Sequence, residues 1–317
     1  MAQIRIEKYT ASHQNEWDRF VENSRNASFL FYRDFMEYHR DRFEDCSFLI
    51  YEDQKLRAIV PANRVEAQVF SHQGLTYGGI IFKNFEKVNR VQEISKAFFT
   101  HLESLAIEKF VVKLLPSKYN DFQSQAIDYV LFQHQAKLMR RDMNFFVPLQ
   151  QNLKIHKSKK KVYNKDFIKE LAIRKTTDFT DFWEQILSPI LNEKYGVNPV
   201  HTIEEIHLLA ERFPKNIQQY NIYKNEVIIA GMTLFIDEKL KVVKSQYGTA
   251  NELGRKLKAL DFLYLELFEK FKNKGFRYFD LGTTNEGDGT IYNESLTNYK
   301  EELGGIPINL DRYEIQF

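Results

Sequence analysis

Apolar and polar positions alternate along this chain in two long stretches that predict the same order of elements. "IYEDQKLRA" (Ile50 to Ala58) and "IYKNEVIIA" (Ile222 to Ala230) each read as an apolar strand, a polar turn and a returning strand. They share Ile-Tyr-x-Asp/Asn-x-x-aliphatic-x-Ala without a gap. Further on, "VFSHQG" (Val69 to Gly74) lines up with "VKSQYG" (Val243 to Gly248), each closing an apolar strand. Helical spacing comes next in both. Val91, Ile94, Phe98, Leu102 and Leu105 recur every three or four residues, as do Leu257, Leu260, Tyr264, Leu267 and Phe271, which is the pattern of a helix with one buried face. A further strand closes each stretch, "FVVKLLP" (Phe110 to Pro116) and "FRYFDLG" (Phe276 to Gly282). Matches in one repeated order point to an internal duplication. The expected fold is α/β with mixed sheets flanked by helices, in two similar domains over 1–150 and 151–317.

Between the halves runs "KIHKSKKKVYNKDFIKELAIRK", with nine basic residues from Lys154 to Lys175 against Asp166 and Glu170. Its beginning, about 154–169, reads as a basic linker helix, either solvated or anion-binding. Over the whole chain 45 Lys and Arg face 43 Asp and Glu, so any anion preference is local. One cysteine, Cys46, excludes an intramolecular disulfide framework and suits a reducing compartment. The polar N-terminal stretch lacks a signal-peptide core, and the longest apolar run, Val227 to Ile236, is far short of the ~20 residues of a membrane span. The expectation is a cytoplasmic protein without stable membrane insertion.

Familiar catalytic signatures are missing: no Gly-x-Ser-x-Gly elbow, no Walker loop and no Gly-x-Gly-x-x-Gly after a strand. The eight histidines lack metal-ligand spacing, so no metal is expected. In "KSQYGTANELGRKLKALDF" a strand passes through a polar turn into a helix expected to begin near Lys256. Gly254, Arg255 and Lys256 there can present free N–H groups and positive charge to a phosphate, or can be an ordinary helix start. The C-terminal "YFDLGTTNEGDGTIYNESLTNYKEELGG" is richer in Gly, Asn and Asp than a plain connection needs.

These segments, with "SHQGLTYGG" (Ser71 to Gly79) and the run from "NPVHTIEEIH" to "MTLF", resemble FemAB-like acyltransferases, in which two GNAT units are fused in one chain. The resemblance spans essentially the whole sequence. It implies sheets that splay between their central parallel strands, with a donor lying in the splay. In typical GNAT proteins the donor is acyl-CoA, held on a Gln/Arg-x-x-Gly-x-Gly/Ala loop. Asn251-Glu-Leu-Gly254-Arg-Lys256 keeps only the central glycine of that loop. The peptidoglycan branch instead draws an amino acid from aminoacyl-tRNA, so acyl-CoA (acetyl-CoA) and aminoacyl-tRNA both stand as donors.

In that branch a lysine of a Phe-Lys-x-x-Phe-Gly-like motif contacts the substrates. It matches Lys300, with Tyr299 and Leu303 in the aromatic positions. Amide formation needs a proton path and donors for the oxyanion. Lys300, Asp280 and Glu286 are the candidate catalytic residues. Ser245, Gln246, Tyr247, Gly248, Gly254, Arg255 and Lys256 are the candidate donor contacts, and His72, Tyr77, Tyr292 and Asn293 the candidate substrate contacts. The implied activity is N-acylation of an amine on a cell-envelope or polysaccharide precursor, with tRNA a possible partner. A degenerate tandem GNAT protein that binds without transferring is the alternative.

Overall fold

The computed structural model describes residues 3–24, 26–83, 86–119 and 125–317. Two compact units emerge. Unit 1 comprises Met1–Asp142, Gly287–Thr290 and Asn309–Phe317, and unit 2 comprises Met143–Glu286 and Ile291–Ile308. The chain therefore returns to unit 1 for its last residues instead of dividing once near residue 150.

In unit 1, β1 (Ile4–Lys8), β2 (Phe48–Glu52) and β3 (Lys55–Val60) form an antiparallel sheet that Ile81–Phe82 completes. A second run is built on β4 (Lys109–Lys113), which pairs in parallel with Gln68–Phe70 and antiparallel with Arg312–Gln316. Helix α1 (Val88–Ser104) buries Val91, Ile94, Phe98 and Leu102 in a core with Phe48, Ile50, Phe110 and Val112. Leu105, expected on the same stripe, is exposed, because the helix has ended and Ala106 turns the chain at φ 54°.

Unit 2 draws on the second half of β5 (Lys137–Pro148), then on β6 (Leu171–Thr176), β7 (Ile217–Lys224), β8 (Val227–Asp237), β9 (Val242–Ala250) and β10 (Tyr278–Thr283). Their order is β6-β7-β8-β9-β10-β5, antiparallel throughout except between β9 and β10. Helix α2 (Ala259–Asn273) seals one face, packing Leu263, Leu267, Phe268 and Phe271 with Val147, Ile229, Val243 and Phe279. A shorter helix, α3 (Glu294–Glu302), comes after the polar C-terminal loop.

The duplication read from the sequence extends to register. Ile50 pairs with Ala58 and Ile222 with Ala230, and each hairpin carries a bulge immediately after that isoleucine. Asp53 and Asn225, the shared Asp/Asn position, sit at φ 54° and 47°. Short polar side chains tolerate this left-handed backbone better than most residues, and tight hairpin turns require it.

The basic stretch between the halves is not one helix. It breaks into short helical pieces at Lys157–Lys160, Lys161–Asn164 and Asp166–Glu170 before entering β6. Tertiary contacts override local preference here. Buried Lys159 pairs with Asp261 at 3.3 Å and Glu302 at 3.2 Å, and the Tyr163 hydroxyl donates to Glu266 at 2.9 Å. Part of the positive charge thus holds the stretch against its own unit.

Candidate functional site

Among the described residues each unit contains one parallel pair of strands, registered over three positions. In unit 1 these are Gln68, Val69 and Phe70 against Lys109, Phe110 and Val111. In unit 2 they are Val242, Val243 and Lys244 against Tyr278, Phe279 and Asp280. Past the third position the two units diverge. In unit 1 the strand stops at Phe70, and Ser71 to Gly78 folds back over the gap. Ser71 Oγ accepts from Lys113 N at 2.8 Å, Gly78 N donates to Lys113 O at 2.7 Å, and Gly78 bridges to Leu114. A Cβ on Gly78 would lie 2.5 Å from Ser71 O, so glycine is needed for this closure. In unit 2, β9 continues six residues to Ala250 with no registered partner on the β10 side. Among the described residues, unit 2 keeps its parallel strands parted beyond the third pair, where unit 1 does not.

The point of parting is charged. Lys244 and Asp280 occupy the positions that Phe70 and Val111 fill in unit 1. Asp280 is 1% exposed, and its Oδ1 accepts from Asn144 Nδ2 at 3.0 Å and from Gly282 N at 2.7 Å. The second bond depends on a bulge between Asp280 and Gly282 and on Gly282 at φ +76°, a conformation natural to glycine.

Lys300 enters from α3. The helix is capped by Asn293, whose Oδ1 accepts from Leu296 N, and is docked by Thr297 Oγ1 on Thr284 Oγ1 at 3.0 Å. Lys300 is 6% exposed, and its Nζ donates to Thr283 O at 2.8 Å. Burial draws its pKa from 10.5 down to about 8, with Asp280 opposing and Lys244 reinforcing the fall. Burial lowers Lys244 as well, against the pull of Asp280. A lysine that titrates near neutrality can exchange a proton during turnover, which an ordinary surface lysine cannot do.

The other wall is β9. A register shift against β8 sets Leu234 opposite Ser245 and Thr233 opposite Tyr247, leaving Gln246 as the extra residue. Bulges interrupt the ladder and re-aim backbone groups. The Oε1 of Gln246 is buried with no protein partner. Ser245 Oγ lies 3.2 Å from the Tyr264 hydroxyl. Tyr247 meets Trp183 edge-on at 5.0 Å, and its hydroxyl lies 2.7 Å from His201 Nδ1. Burial pushes the Tyr247 phenol up to about 12.

The remaining candidates fall elsewhere. Gly254 lies inside a five-residue helix, Glu252–Lys256, and its N–H donates to the Asn251 side chain at 2.9 Å. The glycine is explained by packing, since a Cβ would lie 2.1 Å from Ile229 O. Arg255 donates to Ala250 O, and Lys256 pairs with Glu252 at the surface. Gly254→Ala is therefore expected to lose about 1–3 kcal/mol in denaturant unfolding through overpacking against that backbone. His72 and Tyr77 are buried in unit 1, the first beside His39 and Phe43 and the second against Tyr119. Burial and the neighbouring His39 drive His72 down to about 3, so it is a neutral packing residue at ordinary pH. Glu286 is exposed and accepts from Asn293 Nδ2 at 2.9 Å, and Tyr292 is half-exposed on the same hairpin. Sequence reasoning passed over Lys244, Asn144 and His201. Lys244 alone left a signal, as a lysine just after an apolar pair and aligned with a phenylalanine in the duplicate.

No protein-family model matches the chain, and no curated protein does. Solved structures match over nearly its whole length. FemX aligns over 99% of this chain and 97% of its own, at TM-score 0.69 and 11% identity. The C-terminal domain of a protein described as a lysylphosphatidylglycerol synthetase, from Agrobacterium fabrum, covers 96% and 90% at TM-score 0.60 and 11% identity. A tandem GNAT protein from the clavulanic acid biosynthesis pathway covers 99% and 98% at TM-score 0.55 and 8% identity. At these identities the likeness is one of fold. The chain shares its fold with FemX and with this tandem GNAT protein. Among the described residues no cluster of metal-ligating side chains occurs, and no helix is long and apolar enough to cross a membrane.

Proposed function

We propose that unit 2 is an N-acyltransferase that forms an amide on an amine-bearing cell-envelope or polysaccharide precursor, with acyl-CoA or aminoacyl-tRNA as donor. The observation that carries this reading is the parting of β9 from β10 at a buried, titratable lysine, where unit 1 has closed the equivalent gap. The donor's acyl group lies along the bulged edge of β9 at Ser245 to Gly248, whose backbone donors meet the developing oxyanion. The acceptor nitrogen attacks the donor carbonyl carbon, and its C–S or C–O bond breaks. Lys300, in its neutral form, takes the proton the nitrogen gives up and passes it to the departing thiolate or ribose oxygen, which leaves as the thiol or hydroxyl. Asp280, fixed by Asn144 and Gly282, keeps the resulting ammonium paired.

Support also comes from the folds this chain is similar to. They include FemX and the C-terminal domain of a protein described as a lysylphosphatidylglycerol synthetase, and a transferase reading is consistent with both. The test is calorimetric titration of the purified chain with acetyl-CoA, longer acyl-CoAs and an aminoacylated minihelix, and then mass spectrometry of amine-bearing precursors. One donor binding tightly and its acyl mass appearing on an acceptor is the expected result. A donor that binds and is never consumed makes the protein a binding module. No binding by any of them defeats both readings.

A further inference from the structure

The basic stretch grips the last turn of α3 at several points. His156 N donates to Glu302 O at 2.8 Å, which satisfies a carbonyl that the helix end leaves without an intrahelical partner. Lys159 Nζ lies 3.2 Å from Glu302 Oε2 and 3.3 Å from Asp261 Oδ1 on α2, and it sits over the Tyr299 ring, 3.9 Å from the centroid. Lys300 stands between Tyr299 and Glu302 in sequence, and Gly305 N closes the same turn on Lys300 O at 2.9 Å. We propose that Lys159 is a positioning residue: by tying Glu302 and the Tyr299 ring to Asp261 on α2, it fixes the last turn of α3 so that the Lys300 amine reaches Thr283 O. This deepens the acyl-transfer reading and rests on it for its purpose, although the placement of Lys300 can be measured without any substrate.

Packing alone does not call for a charge at this junction. Lys159 is 7% exposed and Asp261 5%, and burying such a pair is costly enough that apolar side chains of the same volume join elements at least as stably. What charged hydrogen bonds add is geometric specificity, since the ammonium must meet its partners in one arrangement. The two ends of α3 are then held by different means. Thr297 docks the helix on Thr284 one turn before Lys300, and Lys159 holds the turn that carries it. A nine-residue helix is too short to keep its last turn by backbone bonds alone, so without Lys159 that turn frays and the Lys300 amine leaves Thr283 O.

The test reads the Cε resonance of Lys300 in the full chain labelled with ¹³C-lysine, assigned by its loss in Lys300→Met. In the native chain the Lys300 amine lies 6.0 Å from the centre of the Phe145 ring, which sets its resonance apart from those of surface lysines. Lys159→Met is expected to collapse that signal into the surface-lysine envelope. Lys159→Arg, which can meet both carboxylates and stack on the Tyr299 ring, keeps it apart. Lys159→Met leaves the Asp261 carboxylate buried and unpaired. Should it fail to fold, Lys159→Met combined with Asp261→Asn removes the charge together with its partner and carries the same expectation. Glu302→Gln, at a half-exposed position, loosens the α3 side alone and moves the signal in the same direction. A Lys300 resonance that stays in place in every one of these neutral variants that folds overturns the proposal. Once a donor is known, Lys159→Met is expected to lower kcat by about 10²-fold, the cost of a misplaced reacting group, while donor affinity stays within a few-fold and Lys159→Arg restores turnover. A displaced signal in a chain that transfers nothing sinks the proposed function and leaves this tie standing.

Discussion

Lys300→Met is expected to lower turnover by about 10²- to 10⁴-fold, the usual weight of a positioned proton acceptor, while donor affinity stays within a few-fold. The reason is geometric before it is electrostatic. Lys300 is the side chain that α3 delivers to the junction of β9 and β10, held there by Thr283 O and docked through Thr297. In the native chain kcat/KM should rise with pH through about 8, where Lys300 becomes neutral, and the variant should lose that rise. Steady-state kinetics from about pH 6.5 to about pH 9.5, bracketing that midpoint, decide the matter. Activity that falls through the same range would mean that the ammonium is the working form and that it stabilises the oxyanion instead of taking a proton.

The same substitution should make the protein more stable at pH 7. Lys300 has its pKa drawn from 10.5 to about 8 in the folded chain. Below about 8 both states hold the proton, and the folded state bears the full penalty of a buried ammonium. Between about 8 and 10.5 the unfolded chain binds more protons than the folded one, so native stability rises with pH across that window. At ~1.4 kcal/mol per pH unit the penalty at neutral pH is about 3 kcal/mol. Methionine keeps most of the stem volume and carries no charge, and Asp280 retains Lys244, Asn144 and Gly282 around it. Urea unfolding should therefore show Lys300→Met ahead of the native chain by about 2–3 kcal/mol at pH 7, with the gap closing by about pH 10.5. A variant less stable at pH 7 would show that Asp280 needs Lys300 more than the fold suffers from burying it. A residue that destabilises the fold it sits in is the kind a binding or catalytic demand retains.

How much of this was legible in the sequence depends on what kind of force set each feature. The duplication was legible because periodic burial and turn chemistry are local. Ile50 and Ile222, Asp53 and Asn225 recur in the letters as they do in register. Lys300 could be picked out only through the family resemblance, and its burial could not be read from "NYKEEL", where it looks like a lysine on a polar helix. Asn144 lies 136 residues from the carboxylate it holds, a pairing no local pattern contains. Gly254 misled for a different reason. A glycine before basic residues at a helix start resembles an anion cradle, yet the tight constraint is the backbone of Ile229 on the neighbouring strand. The basic stretch after Lys154 likewise promised one helix, and the pairing of Lys159 with Asp261 and Glu302 set its path instead.

Unit 1 supplies an internal control for the proposal that unit 2 holds the donor. Both units are built on one plan, and one of them has folded Ser71 to Gly78 over its gap while carrying Phe70 and Val111 in place of the two charges at the junction. Donor binding should accordingly register in unit 2 and leave the matching segment of unit 1 unaffected. Hydrogen exchange read by mass spectrometry on the full chain, with and without a saturating donor, tests this most directly. Slowed exchange is expected in the peptides covering Lys244 to Ala250 and Asp280 to Thr284, with Gln68 to Gly78 unchanged. Protection confined to Gln68 to Gly78, or to the Glu252–Lys256 helix, would contradict it.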